Sequence, residues 1–312
     1  MMPKNTWLFK VIPLLFLFNS IGCNAADTAK LAGQSIEQAY PGLASVSLGQ
    51  AVLAKLPQGV LLRSGDISFK VKDLETEITK APQETREQLK KNSFFLLEQM
   101  ATGKLLAKVA RQDAAAKNMD ITGKADNEVI QKYFEGLIAD IADSDSEVAV
   151  FYRENQDACG GATLEQMKGQ LNQYLVQQKK QEFVANHVRN LGKTVPIEIS
   201  ASWVKVQAAL AKENPVDQAR TSGQPTMVDF GADGCRPCDM MSPILEELKK
   251  EYAGRAKILF VHVRQEQILA SRFGIQSIPV QVFFNRNGQE VFRHTGFFPK
   301  EEIIKQLKNL GL

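Results

Sequence analysis

The stretch VDFGADGCRPC at residues 228–238 decides the fold of the C-terminal part of this chain. The apolar residues 227–230 predict a buried strand, and the pattern after the second cysteine predicts a helix. A C-x-x-C motif between a strand and a helix puts the Cys235 sulfur at the helix N-terminus, where unpaired N–H groups and the helix dipole favour a thiolate. We therefore predict that Cys235 and Cys238 cycle between a dithiol and a disulfide.

A structural zinc site is the alternative interpretation of two nearby cysteines. Such sites usually have four ligands, often supplied as two C-x-x-C pairs. The sequence contains four cysteines but no second C-x-x-C motif, and His262 and His294 are not spaced as a ligand pair. We therefore expect redox chemistry at this motif, with no metal and no cofactor.

Residues 228–238, the stretch GIQSIP at 274–279 and the predicted hairpin around Gly288 together resemble the thioredoxin family. The resemblance implies an α/β thioredoxin fold over residues 225–312 and the activity of a protein disulfide oxidoreductase. It implies that Cys235 attacks the substrate disulfide, that Cys238 resolves the mixed disulfide, and that Asp229 assists proton transfer to and from Cys238. It assigns substrate binding to four residues around the cysteines: Arg236, Ile278, Pro279 (the family's cis-proline) and Gly296.

Three residues depart from the pattern of cytosolic thioredoxins. Gly234 stands where a tryptophan is usual, and Arg236 replaces a glycine between the cysteines. Arg236 adds positive charge beside the thiolate, which should favour the charged form. Phe260 occupies the place of a lysine that usually accompanies the buried aspartate. The resemblance therefore covers the fold and the dithiol, but it leaves the proton relay and the reduction potential open.

The first residues have the pattern of a bacterial export signal. Lys4 and Lys10 lie before an apolar run at residues 11–18, which is too short to span a bilayer. The sequence SIGC at 20–23 then resembles a lipobox, so we expect a signal peptide at 1–22 and lipidation at Cys23. Ordinary cleavage near residues 25–26, which would leave a soluble protein, is the alternative. Either cleavage predicts a periplasmic protein of the bacterial cell envelope.

The region between the export signal and the thioredoxin-like part has a helical pattern. We expect a lead-in at 23–58 with one helix near 52–56, a helical domain at 59–200 and a linker at 201–224. A hairpin is predicted around residues 64–66, and capping boxes at 144–147 and 163–166 predict helix starts. The predicted fold class is α+β multidomain, with an N-terminal all-α chaperone-like domain followed by an α/β thioredoxin fold.

The helical region resembles the N-terminal domain of SurA-type periplasmic chaperones and parvulin-type prolyl isomerases. Five segments carry this resemblance: residues 64–67, 105–110, 151–155, 174–175 and 195–197. It implies a domain that binds unfolded peptides, although a scaffold or dimerisation module remains the alternative. Relatives often insert a catalytic parvulin domain after the segment that matches 151–155. Here only residues 156–162 are available, so no prolyl isomerase activity is expected.

The combined reading is an exported oxidoreductase that reduces or isomerises disulfides of cell-envelope proteins. Expected partners are disulfide-bearing or unfolded exported proteins, an upstream membrane electron donor, and the membrane surface through a lipid anchor. The small net charge of +3 gives no reason to expect nucleic acid. The alternatives are a holdase chaperone with a regulatory dithiol, and an electron relay for one partner, such as cytochrome c maturation.

Three further residues have a functional and a structural interpretation. Cys159 is either a third redox thiol or a small apolar residue in a connection, and the second is favoured. His262 and His294 are either proton carriers or ordinary residues of a strand and a hairpin. The ordinary interpretation is favoured for both, because dithiol exchange needs no histidine.

Overall fold

The structure is a computed structural model that describes residues 32–154, 159 and 161–312. The predicted signal peptide and Cys23 lie outside these residues, as does Asn155. No helix within the described residues is both long enough and apolar enough to cross a membrane.

Helices make up most of the N-terminal part, and four short strands join them. Its elements in chain order are α1 (Ile36–Ala39), β1 (Val52–Ala54), β2 (Val60–Ser64), β3 (Ile67–Lys70), α2 (Val71–Lys80), α3 (Gln83–Lys91), α4 (Ser93–Ala116), α5 (Asp126–Leu137), α6 (Asp145–Glu154), α7 (Leu164–Arg189), α8 (Leu191–Thr194), β4 (Glu198–Ser200), α9 (Ala201–Ala211) and α10 (Pro215–Arg220). The predicted hairpin is confirmed, and so are the helix starts at both predicted capping boxes.

The strands of this part form one sheet in the order β1-β4-β2-β3. The all-α description of the N-terminal part is therefore too narrow. The helix expected near residues 52–56 is wrong, because Val52 begins a strand that pairs in parallel with Glu198 of β4. A three-residue strand has too little local pattern to be recognised, and its partner lies almost 150 residues away in the sequence.

The core of the N-terminal part forms between this sheet and α4. Leu97, Ala101 and Leu105 recur at intervals of four along α4 and are fully buried, which is the spacing of one helix face. Glu98 lies among them and is also buried, and its carboxylate accepts four hydrogen bonds from residues 45–48. The buried charge is thus compensated by backbone and hydroxyl donors, as a buried carboxylate requires.

The C-terminal part is a four-stranded sheet with helices on both faces. Its elements are β5 (Thr226–Gly231), α11 (Arg236–Glu251), β6 (Lys257–His262), α12 (Gln267–Arg272), β7 (Val280–Phe284), β8 (Glu290–Thr295) and α13 (Lys300–Asn309). The strand order is β6-β5-β7-β8, with β6 parallel to β5 and with β7 and β8 antiparallel. Helices α11 and α13 cover one face, whereas α10 and α12 cover the other. The predicted α+β multidomain class is confirmed.

Strand β6 has a different place in the sheet from the one expected. Its continuous apolar run predicts an inner strand, but β6 lies at the edge and pairs only with β5 among the described strands. Its apolar residues are still used, because Ile258 and Val261 are buried while Phe260 is 43% exposed. The parallel pairing that the apolar run predicts is confirmed.

Helix α12 joins the two parts of the chain. Its Ile268 packs against the N-terminal core, and its backbone N–H donates to the side chain of Gln88 on α3 at 3.2 Å. The same Gln88 donates to the carbonyl of Gln265 at 2.7 Å. The helix that precedes the GIQSIP loop is therefore held by the N-terminal part.

A buried ion cluster ties α10 to α12 and to the hairpin of β7 and β8. Asp217 contacts Arg272 and Arg220, each at 2.5 Å. Burial works to raise the pKa of Asp217, but the two arginines and the hydrogen bond from Asn214 together hold that pKa below its ordinary value. Arg220 also donates to the carbonyls of Gly42 and Gly288, so it links the N-terminal part to the hairpin turn.

Candidate active site

The strand, turn and helix around the two cysteines form as the sequence predicts. Strand β5 ends at Gly231, and the turn passes through Gly234, whose φ of +72° is readily adopted only by glycine. Cys235 is the N-cap of α11, and Pro237 lies in the first turn, where its missing N–H breaks no helical hydrogen bond. The first sulfur is therefore at the positive end of a 16-residue helix dipole.

The two cysteines form a disulfide in this structure. Their Cα atoms are 5.2 Å apart, within the range that a disulfide requires. Cys238 is only 6% exposed, whereas Cys235 is half-buried and lies nearer to the surface. An incoming thiol or disulfide thus reaches Cys235 first, and Cys238 is protected behind it.

Two loops border Cys235. The Ile278–Pro279 peptide bond is cis, and the Ile278 carbonyl oxygen lies 4.0 Å from the Cys235 sulfur. The backbone N–H of Gly296 donates to the Pro279 carbonyl at 2.8 Å, and the φ of Gly296 is +102°. Arg236 is exposed as the first residue of α11. The four predicted substrate-binding residues therefore lie on the two loops and at the helix start.

Asp229 is fully buried in the middle of β5, and so is Gln281 in β7. The Gln281 Nε2 donates to Asp229 Oδ1 at 2.7 Å. Burial raises the pKa of Asp229 to about 6, while the hydrogen bond from Gln281 acts in the opposite direction. A carboxyl group with this pKa can take up and release a proton near neutral pH.

Phe260 is the β6 residue opposite Asp229 in the register. Its ring lies against Gly231, where an added Cβ would be 2.9 Å from the ring, so a larger residue at 231 would collide with it. A cavity of about 210 Å³ opens beside Cys238, and its lining includes Asp233, Cys238, Asp239, Ser242, Glu246, Lys249 and Phe260. The ring of Phe260 thus lines the cavity beside Cys238, at the position where the family usually has a lysine.

The two histidines make local contacts. His262 Nε2 lies 3.2 Å from a carboxylate oxygen of Asp233, and the His294 ring stacks on Phe298 with centroids 4.2 Å apart. These contacts agree with their interpretation as strand residues. Cys159 lies half-buried in a short turn after α6. Among the described residues, no group of three or more His, Cys, Asp or Glu side chains could hold a metal ion.

The sequence analysis did not identify Gln281 as part of the site. Its signal is one polar residue in the apolar run VQVFF at 280–284. That residue can be interpreted only once the register places Gln281 opposite Asp229, and the pairing of β5 with β7 shows this register. A disulfide at a helix N-terminus, next to a cis-proline loop and after a strand that carries a buried carboxyl group, defines the class of thiol–disulfide oxidoreductases.

Comparisons with known proteins assign the family. The thioredoxin family model matches residues 206–309, beginning inside the segment expected to be a linker. Thioredoxin from Rickettsia bellii is 32% identical over 93 residues, which are 30% of this chain and 88% of that protein. Thioredoxin from Haemophilus influenzae is 39% identical over 79 residues, which are 25% of this chain and 73% of that protein. Thioredoxin from Staphylococcus aureus is 41% identical over 81 residues, which are 26% of this chain and 77% of that protein.

A solved structure, a variant thioredoxin from Halobacterium salinarum, covers 30% of this chain and 81% of its own, at 26% identity and a TM-score of 0.28. The chain belongs to the thioredoxin family through its C-terminal third. It is a thiol–disulfide oxidoreductase.

Proposed function

We propose that this protein is exported and reduces or isomerises the disulfides of cell-envelope proteins. The observation that carries the redox chemistry is the pairing of a half-buried Cys235 at the N-cap of α11 with a buried Cys238. The helix terminus stabilises the thiolate of Cys235, and burial keeps Cys238 for the intramolecular step.

The reaction starts from the dithiol form. The Cys235 thiolate attacks one sulfur of a substrate disulfide, forms a mixed disulfide, and displaces the other substrate sulfur as a thiolate. Cys238 gives its proton to Asp229 and attacks the Cys235 sulfur. The Cys235–Cys238 disulfide closes and the second substrate sulfur leaves. Two electrons have then passed to the substrate, and a membrane electron donor must return them to the protein.

Four residues guide the substrate in this proposal. Ile278, Pro279 and Gly296 supply backbone groups and a close approach beside Cys235, and Arg236 adds a cation at the helix start. The proposal is supported by the 4.0 Å distance from the Cys235 sulfur to the Ile278 carbonyl oxygen. It is also supported by the hydrogen bond that joins the Pro279 and Gly296 loops.

The N-terminal part, with its domain at 59–200, is proposed to bind unfolded clients as a SurA-like chaperone module. Several apolar side chains are exposed on its helices, among them Tyr174 and Phe183 on α7. A cavity of about 1140 Å³ lies between α7 and the loop at residues 273–276, close in sequence to the cis-proline. A client held there would be presented to Cys235 at a high effective concentration.

Export and lipidation are supported by the sequence pattern at residues 1–23. We propose that Cys23 becomes the lipidated N-terminus of a periplasmic protein. Labelled palmitate should enter the wild-type protein and should not enter the Cys23→Ser variant. Label in neither protein would refute lipidation, and recovery of the unprocessed chain in the cytosol would refute export.

The redox function is tested with single cysteine variants. Cys238→Ser should accumulate a mixed disulfide with substrates on non-reducing gels, because the resolving sulfur is gone. Cys235→Ser should accumulate none, and Cys159→Ser should turn over insulin at the wild-type rate. Equal trapping by the Cys235→Ser and Cys238→Ser variants would refute the assignment of the attacking sulfur.

Client binding is tested separately by replacing Tyr174 and Phe183 together with serine. The KM for an unfolded protein substrate with scrambled disulfides should rise several-fold, while turnover of a small aromatic disulfide stays unchanged. An unchanged KM for the protein substrate would refute client binding on α7 and leave the redox function intact. Full protection against aggregation by a Cys235→Ser, Cys238→Ser variant, without any reductase phenotype in cells, would favour the holdase alternative.

A further inference from the structure

We infer that Gln281 is the positioning residue for Asp229, and that it fixes Oδ2 as the carboxyl oxygen that exchanges a proton with Cys238. The inference rests on the proposed role of Asp229 and goes beyond it. It gives this chain an uncharged amide where its relatives use a lysine on a different strand.

The sheet geometry puts Asp229 and Gln281 on the same face. They are direct partners in the antiparallel register of β5 and β7. Because side chains alternate along a strand, Asp229 shares its face with Met227, and Gln281 shares its face with Phe283. Met227 and Phe283 both pack in the cluster under α11, the helix that carries Cys238. The amide, the carboxyl group and the resolving cysteine therefore belong to one layer.

The hydrogen bonding distinguishes the two carboxyl oxygens. Gln281 Nε2 donates to Asp229 Oδ1 at 2.7 Å, so Oδ1 acts as an acceptor. Oδ2 is buried and has no partner among the described residues. A proton on the carboxyl group is therefore placed on Oδ2, because the carbonyl oxygen of a protonated carboxyl group is a better acceptor than its hydroxyl oxygen, and Oδ1 is the oxygen that accepts from the amide. A buried oxygen without a donor also gains most from protonation.

Among the described residues, the side-chain amide of Gln281 is the hydrogen-bond partner of the Asp229 carboxyl group. Burial and the Gln281 bond are the two influences on its pKa, and no charged side chain of the described residues contributes. Phe260 faces it from β6 and Gln281 from β7, and both are uncharged. The titratable groups near this layer on the neighbouring elements are His262 on β6, His294 on β8, which is the register partner of Gln281, Asp233 in the turn, and Cys238, Asp239, Glu246 and Lys249 on α11.

An amide and a lysine have different effects on a buried carboxyl group. A lysine carries a full charge and favours the ionised form strongly. An amide donates a hydrogen bond to the carboxylate but carries no charge, so the carboxyl group keeps a raised pKa and can still accept a proton near neutral pH. Gln281 thus orients the acceptor without removing its ability to take the Cys238 proton.

The test compares Gln281→Met with the wild type across pH. Methionine keeps the length of the side chain and removes the donor. Because the lost bond favours the carboxylate, the apparent pKa in kcat/KM for disulfide reduction should rise by about one pH unit. The infrared titration of the protonated Asp229 carbonyl should shift by the same amount. Gln207→Met is the matched control, since Gln207 is also a buried glutamine whose Oε1 has no partner among the described residues.

Each outcome decides between the two levels of the proposal. A Gln281→Met profile that superimposes on the wild type, while Asp229→Asn slows release of the mixed disulfide, overturns the role of Gln281 alone. An Asp229→Asn variant with normal release overturns the role of Asp229 in the proposed function. If Gln281→Met does not fold, Gln281→Asn replaces it, because the shorter amide withdraws from Oδ1 and should produce the same upward shift.

Discussion

Replacement of Asp229 by asparagine should stabilise the oxidised protein at neutral pH, although it removes a group of the proposed mechanism. Asp229 is buried among apolar side chains and has an amide as its hydrogen-bond donor. At neutral pH the unfolded chain ionises this carboxyl group freely in water. The folded protein must either keep it protonated or bury a charge, and both are unfavourable.

The magnitude follows from the two pKa values. The pKa of Asp229 is about 6 in the folded protein and 3.8 for an ordinary aspartate. The raised folded value means that the folded protein holds the proton more tightly. The contribution of Asp229 to stability is therefore fully present below pH 3.8 and is lost as the pH rises through about 6. A difference of about two pH units corresponds to a loss of about 3 kcal/mol.

Calorimetry of the full chain measures this effect for wild type and Asp229→Asn at pH 4 and pH 7.5. The relevant transition is the one that moves when dithiothreitol reduces the Cys235–Cys238 disulfide, since that bond lies in the thioredoxin part. The difference in unfolding free energy between the two proteins should be about 2.4 kcal/mol larger at pH 7.5 than at pH 4, in favour of the variant, because the unfolded carboxyl group is already partly ionised at pH 4. Other titrating groups are common to both proteins and cancel.

An equal difference at the two pH values would refute this reasoning. It would mean that Asp229 is solvated or ionised in the folded protein, contrary to its burial. The predicted stabilisation by Asp229→Asn should also vanish well below pH 3.8, where the wild-type carboxyl group is neutral in both the folded and the unfolded protein.

Three other changes test the contacts around the site and the core. Asp217→Asn should lower the unfolding free energy in thermal scans by about 3–5 kcal/mol, because two buried arginines lose their counter-ion; a loss below about 1 kcal/mol would contradict this. Glu98→Ala should cost at least about 2 kcal/mol in urea titrations, because the donors of residues 45–48 lose their acceptor; an unchanged midpoint would contradict it. Phe260→Lys puts a cation opposite Asp229 and should lower the pKa of that carboxyl group, so the pH dependence of stability should shrink. Wild-type pH dependence would show that residue 260 does not reach the carboxyl group.

The elements that the sequence predicts correctly are those whose signals are local. The turn and helix start at Cys235 follow from residues within a few positions of one another. The same holds for Asn214, which precedes Pro215 and whose side chain accepts from the backbone N–H groups of residues 216 and 217 at the start of α10. The capping box at Thr163 begins α7 for the same reason. Each of these signals closes a hydrogen bond across two or three residues, so it can be recognised in a linear sequence.

The features that the sequence does not predict depend on distant partners. Strand β1 forms because β4 pairs with it in parallel, and the sequence pattern at residues 52–54 does not predict this pairing. Glu98 would be taken for a solvent-exposed residue of an amphipathic helix, yet it is buried and holds residues 45–48, about 50 positions earlier. The contact of Gln88 with α12 spans about 180 residues. Such contacts are decided by packing of the whole chain.

Gln281 is a polar residue in an apolar strand, and the strand register explains its presence. A glutamine in an apolar strand is unfavourable unless its amide is satisfied, so its presence at 281 implies a buried partner. The hairpin of β7 and β8 fixes where β7 lies, and antiparallel pairing with β5 then leaves one direct partner, Asp229. Phe260, at the position where the family usually has a lysine, and Gln281 are both register partners of Asp229. They are explained together if the protein keeps a neutral donor beside the carboxyl that receives the Cys238 proton.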